Sequence, residues 1–433
     1  MPRNPSGRPT WKRWLALAGL GLVLLLVAGT FLLVVYPLRD PHPRPLVARG
    51  VVAVRGARIL VSPEAPVVLS GTLVARDGRI EAIGPDLPVP AGARILPCDG
   101  CTIAAGFWNA HVHFTEGKWE SAAWKDRAVV DAQLEDMLTR RGFTTVVDAG
   151  SDLRRTISLR RRIESGELLG PAIYTAGSGI FPPDGIPYYL RSSLPSLIVR
   201  LLPQPGDPKA AAQEVETNVA RGADLAKLFT GSYVERGRVL PMPVPIATAA
   251  VDAAHRRGQI VYAHASNREG TDVAVRSGVD VLAHAPDSTD GVDTALLRRI
   301  TDRGMAMIPT LKMFAATVSA APGYMGPILA EVREFHALGG QLLFGTDVGY
   351  MADYRTEEEF QALAAAGLSP REILRMLTVA PAERFGVAAE TGSLAPGRRA
   401  DFVVLDGDPL VDLAAFSRVR ATVRNGRVLY VAP

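Results

Sequence analysis

The sequence predicts an α/β protein. It comprises a (β/α)8 barrel of the TIM type, a small β-sandwich domain built from both ends of the chain, and one N-terminal transmembrane helix. Three observations carry this. Between residues 102 and 387, short apolar runs alternate with Ala/Arg/Glu-rich amphipathic stretches, the texture of parallel strands joined by helices. Either side of that middle lie β-branched runs separated by hairpin turns. Ahead of both lies an uncharged segment, 14–36.

Composition permits such a fold. Of 433 residues, 48% are hydrophobic and 21% charged, the balance of a globular protein. That excludes a disordered chain, a coiled coil and a multi-span membrane protein. The 41 glycines and 33 prolines follow no G-X-Y period and read as turns. A net charge of +4, with no Lys/Arg stripe interleaved with aromatics, argues against nucleic acid as a partner.

Taken in order, the uncharged run 14–36 would reach roughly 35 Å as a helix, enough for a hydrocarbon core of about 30 Å. Residues 1–13 would then be a cytoplasmic tail, 14–36 a single transmembrane span and the Pro-rich 37–49 a stiff linker. The catalytic part would be membrane-anchored and extracytoplasmic. Basic residues flank the run on both sides, so the positive-inside rule orients it only weakly. The alternative is a cleaved signal peptide, whose apolar core normally runs about 7–15 residues. Segments 51–54, 58–61, 71–76 and 79–83 read as strands, with Asp77-Gly78 as a two-residue hairpin turn. Segments 402–405, 419–424 and 428–431 repeat the pattern, with Asn425-Gly426 as the turn. Residues 50–101 and 388–433 therefore form the composite β domain, and 102–387 the barrel. The only two cysteines, Cys98 and Cys101, flank an Asp-Gly turn and are either structural thiols or a local disulfide.

Barrel strands are predicted at 144–147, 172–175, 225–229, 260–264, 279–284, 306–309 and 342–347, with an eighth entering His111. Four of the seven histidines sit at the ends of these runs. His111 and His113 lie two apart, which in a strand points both imidazoles to one face, a bidentate grip for a divalent cation. His264 and His284 end neighbouring strands, and Asp347 ends the last, at the rim where barrel active sites lie. Taken singly, each histidine could be a hydrogen-bonded rim residue and Asp347 a helix N-cap. Lys227 lies inside an apolar strand, costly unless its charge is removed or paired. Carboxylation would make it an anionic bridge between two cations; pairing with Asp148 or Glu235 is the alternative.

The segments 105–114, Lys227, His264, 283–285 and 345–347, with the tail 392–404, resemble the amidohydrolase superfamily, nearest its imidazolonepropionase-like and prolidase-like branches. The resemblance spans about 50 to 430. It implies His111, His113 and Asp347 around one metal ion, and His264 and His284 around a second. Carboxylated Lys227 would bridge the two ions, zinc being the first choice. Asp347 would take a proton from the activated water and pass it to the leaving nitrogen. Deaminases of the superfamily place a Glu three residues beyond the strand-five His; here position 267 is Asn, which argues against deamination. The candidate substrate contacts are Tyr262 and Asn267 beside strand five and Lys312 after strand seven, with Ser266, Asp287, Ser288 and Thr310 nearby. The loop 177–191 is a candidate lid.

The expected function is hydrolysis of a C–N bond in a small amide, cyclic amide or dipeptide at a binuclear centre. Two alternatives remain: a mononuclear imidazolonepropionase-like hydrolase with Lys227 structural, and a non-catalytic binding protein on the same barrel. A homo-oligomer is compatible with the sequence.

Overall fold

The computed structural model describes residues 11–34, 40–318 and 323–433. Eight parallel strands form the barrel: β1 Phe107–Val112, β2 Phe143–Asp148, β3 Ala172–Thr175, β4 Ala226–Phe229, β5 Val261–His264, β6 Val281–Leu282, β7 Ala306–Met307 and β8 Gln341–Leu342. Strands β1 to β3 pair in one run and β4 to β8 in another. The ring closes at two seams, where Ile180 bridges to Leu228 and Val348 to Val112. At the second seam Asp347 N donates to His111 O (2.9 Å) and His113 N to Val348 O (2.7 Å). Closing the barrel therefore sets Asp347 beside both strand-one histidines.

Alternation along each strand sorts the side chains. In β5, Val261 and Ala263 join the core between strands and helices, while Tyr262 joins the core inside the barrel with Leu225, Val281 and Leu343. Trp108, Tyr174, Tyr262 and Phe385 make an aromatic floor, with ring centroids 4.8–6.4 Å apart. Helix ends carry the expected signals. Asn267 caps Arg268–Ser277 by accepting from Gly270 N, and Ser369 and Glu372 form a capping box on Pro370–Leu377.

Both chain ends contribute to a second sheet. It contains Val51–Leu60, Val68–Arg76, Arg79–Pro85, Arg94–Ile95 and Cys101–Ala105, then Phe402–Asp406, Val419–Arg424 and Arg427–Val431. These strands form one continuous hydrogen-bonded sheet that carries a buried core of its own. The reason is the long first strand, which pairs Arg94–Ile95 with its first half and Cys101–Ala105 with its second, with register shifts between. Alternate residues then serve two cores. Ile103, Phe402 and Val404 line the sheet's own cluster, whereas Ala104, Val403 and Leu405 pack into the barrel's. Both predicted hairpin turns are present, with positive φ at Asp77 (46°), Gly78 (79°), Asn425 (48°) and Gly426 (72°). Cys98 and Cys101 are joined in a disulfide.

The membrane expectation is corrected. Among the described residues no helix is long and apolar enough to cross a membrane, so a transmembrane helix at 14–36, a membrane-anchored chain and an extracytoplasmic domain are not supported. A helix does occupy Trp11–Val34. Residues 1–10 and 35–39, where the tail, the end of the span and the start of the linker were placed, lie outside the described residues.

Candidate metal centre

Four residues from three strand ends meet at the barrel mouth. His111 Nε2 lies 3.2 Å from His113 Nε2, and Asp347 Oδ1 lies 3.5 and 3.0 Å from these two nitrogens. His284 Nε2 approaches Asp347 Oδ2 at 4.0 Å. The His264 ring sits 4.7 Å from that of His284, centroid to centroid, and stacks on Phe229. Close backbone approach makes this possible. A Cβ on Gly345 would fall 2.4 Å from Ile308 and 2.9 Å from His111 Cβ, and one on Gly349 (φ 96°) would fall 1.8 Å from His113 O.

The outer nitrogens of His111, His113 and His284 are tied, and the ties decide the tautomers. His111 Nδ1 donates to Ala283 O (2.8 Å) and His113 Nδ1 to Gly150 O (2.7 Å). His284 Nδ1 lies 2.8 Å from Thr310 Oγ1, whose own proton goes to Pro309 O; the hydroxyl therefore accepts from the ring. With Nδ1–H spent in all three rings, the neutral imidazoles turn Nε2 lone pairs toward the carboxylate of Asp347. Asp347 Oδ1 is itself buried with no hydrogen bond. Lone pairs facing a carboxylate repel unless a cation lies among them. This donor set fits a divalent metal ion, and His111, His284 and Asp347 offer ligand atoms all within 4.8 Å of one another.

The electrostatics agree. Burial, then Lys227 and His113, hold His111 well below the ordinary histidine value. Burial, then the neighbouring histidines and Lys227, do the same to His284. His264 is lowered to about 3 by burial, Lys227 and His113. Burial also pulls on His113, but the carboxylate of Asp347, with Asp148 behind it, outweighs this and raises it. The site therefore favours neutral, ligating imidazoles at His111, His264 and His284.

Lys227 lies 2% exposed at the inner end of β4. Its Nζ lies 5.6 Å from the Phe229 ring centroid and makes no hydrogen bond or ion pair among the described residues. Burial lowers its amine to about 8, with Asp347 pulling the other way. Neither partner considered for it is available. Asp148 is saturated by Ser151 Oγ (2.6 Å), Thr156 Oγ1 and Thr175 Oγ1 (both 2.8 Å), and Glu235 pairs with Arg238 at the surface.

The three expected substrate contacts have other surroundings. Tyr262 is fully buried in the aromatic floor, because two residues before His264 on one strand face is one layer deeper. Asn267 caps a helix. Lys312 is buried, and its ammonium binds Asp353 O, Arg355 O and the carboxylates of Asp353 and Glu358, holding the loop after β8. Asp347 caps no helix. The lid segment is pinned where Ser232 Oγ donates to Gly185 O (2.5 Å) and Arg191 to Val234 O. It brings Tyr189 within 6.0 Å of Tyr350, ring to ring. Asp287 receives Tyr233 and Tyr324 hydroxyls on one oxygen (3.1 and 2.8 Å). Sequence reasoning missed Asp148 as an organiser of the Gly150 loop and Thr310 as a partner of His284. Asp148 directly follows the predicted strand 144–147, and Thr310 the predicted strand 306–309, but neither position says which histidine or loop it serves.

The comparisons with known proteins agree with this geometry. Ochratoxinase of Aspergillus niger is 22% identical over 446 residues, covering 90% of this chain and 90% of that protein. Imidazolonepropionase of Porphyromonas gingivalis is 25% identical over 394 residues, covering 84% and 89%. The crystal structure of a Xaa-Pro dipeptidase with methionine in its active site superposes with TM-score 0.75 at 21% identity, over 88% of this chain and 100% of that one, a likeness of fold. The profile of the Amidohydrolase family matches residues 102–429, and the chain belongs to that family of hydrolases acting on carbon–nitrogen bonds.

Proposed function

We propose that this chain hydrolyses the C–N bond of a small amide, cyclic amide or dipeptide at a binuclear metal centre. The observation that carries it is the convergence of proton-free imidazole nitrogens on the buried Asp347 carboxylate. His111, His113 and Asp347 would hold one ion, His264 and His284 the other, and carboxylated Lys227 would bridge them. Zinc suits imidazole and carboxylate ligands. Bound metal would lower the pKa of water and polarise the substrate carbonyl. Asp347 Oδ1, which has no hydrogen bond, would accept a proton and return it to the leaving nitrogen. The lowered Lys227 amine supports carboxylation, since only the neutral amine reacts with carbon dioxide: its nitrogen attacks the carbon, and a proton leaves to solvent.

One observation favours a mononuclear reading. The tight cluster His111, His284 and Asp347 mixes residues of the two sets, and with His113 it could surround a single ion. Metal content of the purified protein separates the readings: about two ions per chain against one. Hydrolysis of a panel of N-acyl amino acids, cyclic amides and Xaa-Pro dipeptides should vanish on chelation and return with zinc. A rate unaffected by complete metal removal would overturn both readings.

A further inference from the structure

Three histidines have their Nδ1 atoms tied, but only one of these ties is a side chain. His111 and His113 donate to backbone carbonyls, whereas His284 donates to the Thr310 hydroxyl. Thr310 is also one of the few non-glycine residues at positive φ, 49°. A β-branched residue adopts that conformation only where its surroundings impose it. Just beyond it the chain meets Glu359, in the first turn of the helix Glu357–Ala365, 1% exposed. Its two oxygens accept from Leu311 N (3.1 Å) and Lys312 N (2.7 Å), the two amides after Thr310.

We propose that Thr310 is a positioning residue for His284 and that Glu359 holds Thr310 in place. The pairing rests on the metal-centre reading above. With Pro309 O accepting the Thr310 proton at 2.8 Å, the hydroxyl oxygen accepts from the ring. This forces the proton onto His284 Nδ1 and leaves Nε2 free as a ligand. Glu359 clamps the backbone that aims the hydroxyl, linking a strand-six ligand to the helix that follows strand eight. Loss of the hydroxyl releases both the ring's rotation and its tautomer; outer partners of this kind are worth about 10- to 100-fold in metal affinity.

The test titrates the metal-free full-length chain with Zn2+ against a chromogenic chelator, with thermal melts alongside. Thr310→Val should weaken one zinc-binding step about 10- to 100-fold with little change in Tm. Thr310→Ser, which keeps the hydroxyl, should restore wild-type affinity, and Glu359→Gln should fall between. Wild-type affinity in Thr310→Val overturns the proposal. So does a Thr310→Ser protein as weak as the valine variant, since packing alone would then explain the loss. Should the valine variant not fold, an unchanged affinity in Glu359→Gln overturns the clamp. If the wild-type chain takes up no zinc, the metal-centre reading itself fails.

Discussion

The two halves of the candidate centre are held by different means. On one side, His111, His113 and Asp347 are fixed by main chain: the barrel seam, the carbonyls of Ala283 and Gly150, and two glycines that let backbones touch. On the other, Lys227, His264 and His284 depend on side chains: Phe229 against two of them and Thr310 beneath the third. Main-chain supports come with the fold, and apart from the two glycines no single side chain carries them. Side-chain supports can be substituted one at a time, which leaves the second half the adjustable one.

Asp347→Asn should have the largest effect, because the carboxylate faces both halves. Asparagine tolerates the positive φ of this position, 58°, so the fold should stand while kcat falls by about 1000-fold or more. A near-wild-type rate would take Asp347 out of the chemistry. Lys227→Ala comes next. It should cost one metal ion per chain and about 100-fold or more in rate, while the metal-free variant melts no lower than metal-free wild type because a buried, unpaired amine is gone. Excess acetate should restore part of the rate. Full metal content in this variant would merge the two halves into a single mononuclear site.

A third experiment compares the halves directly. In zinc titrations, His113→Asn should weaken the tighter step and His264→Asn the looser one, each by about 100-fold or more, beyond the loss of an outer partner. If both variants weaken the same step equally, the distinction between the halves fails. The smallest effect belongs to a control outside both. Glu331 is buried with neither oxygen hydrogen-bonded, and burial raises its carboxyl to about 8. The folded chain keeps a proton there that the unfolded chain loses, so stability should fall as pH rises above the ordinary carboxyl value and level off beyond about 8. Glu331→Gln should raise Tm by about 2–4 °C at pH 8 and leave it unchanged near pH 4. Metal content and kcat should not move. Altered zinc binding in this variant would show that metal affinity is not confined to the two halves.

By itself the sequence determined what is local. Apolar runs alternating with amphipathic stretches placed the barrel strands, Asp-Gly and Asn-Gly placed both hairpins, His111, His113, His264, His284 and Asp347 stood out as polar ends of apolar runs, and Lys227 as a charge inside one. The family resemblance added which of them act together. Their meeting was legible because a barrel of parallel strands brings every strand's C-terminal end to one rim. Tertiary structure alone decided what depends on distance across the ring. Tyr262 went into the floor because it lies one layer below His264. Lys312 went to the loop after β8 because carboxylates and carbonyls surround its ammonium there. The two chain ends formed one sheet because a single bent strand pairs on both its halves. Thr310 and Glu359 became supports for His284 although nothing in their neighbourhood along the chain marks them for that role. A hydrogen bond between residues 26 apart, and another between residues 48 apart, leaves no periodicity to read; it exists only once the barrel has closed and excluded water from both partners.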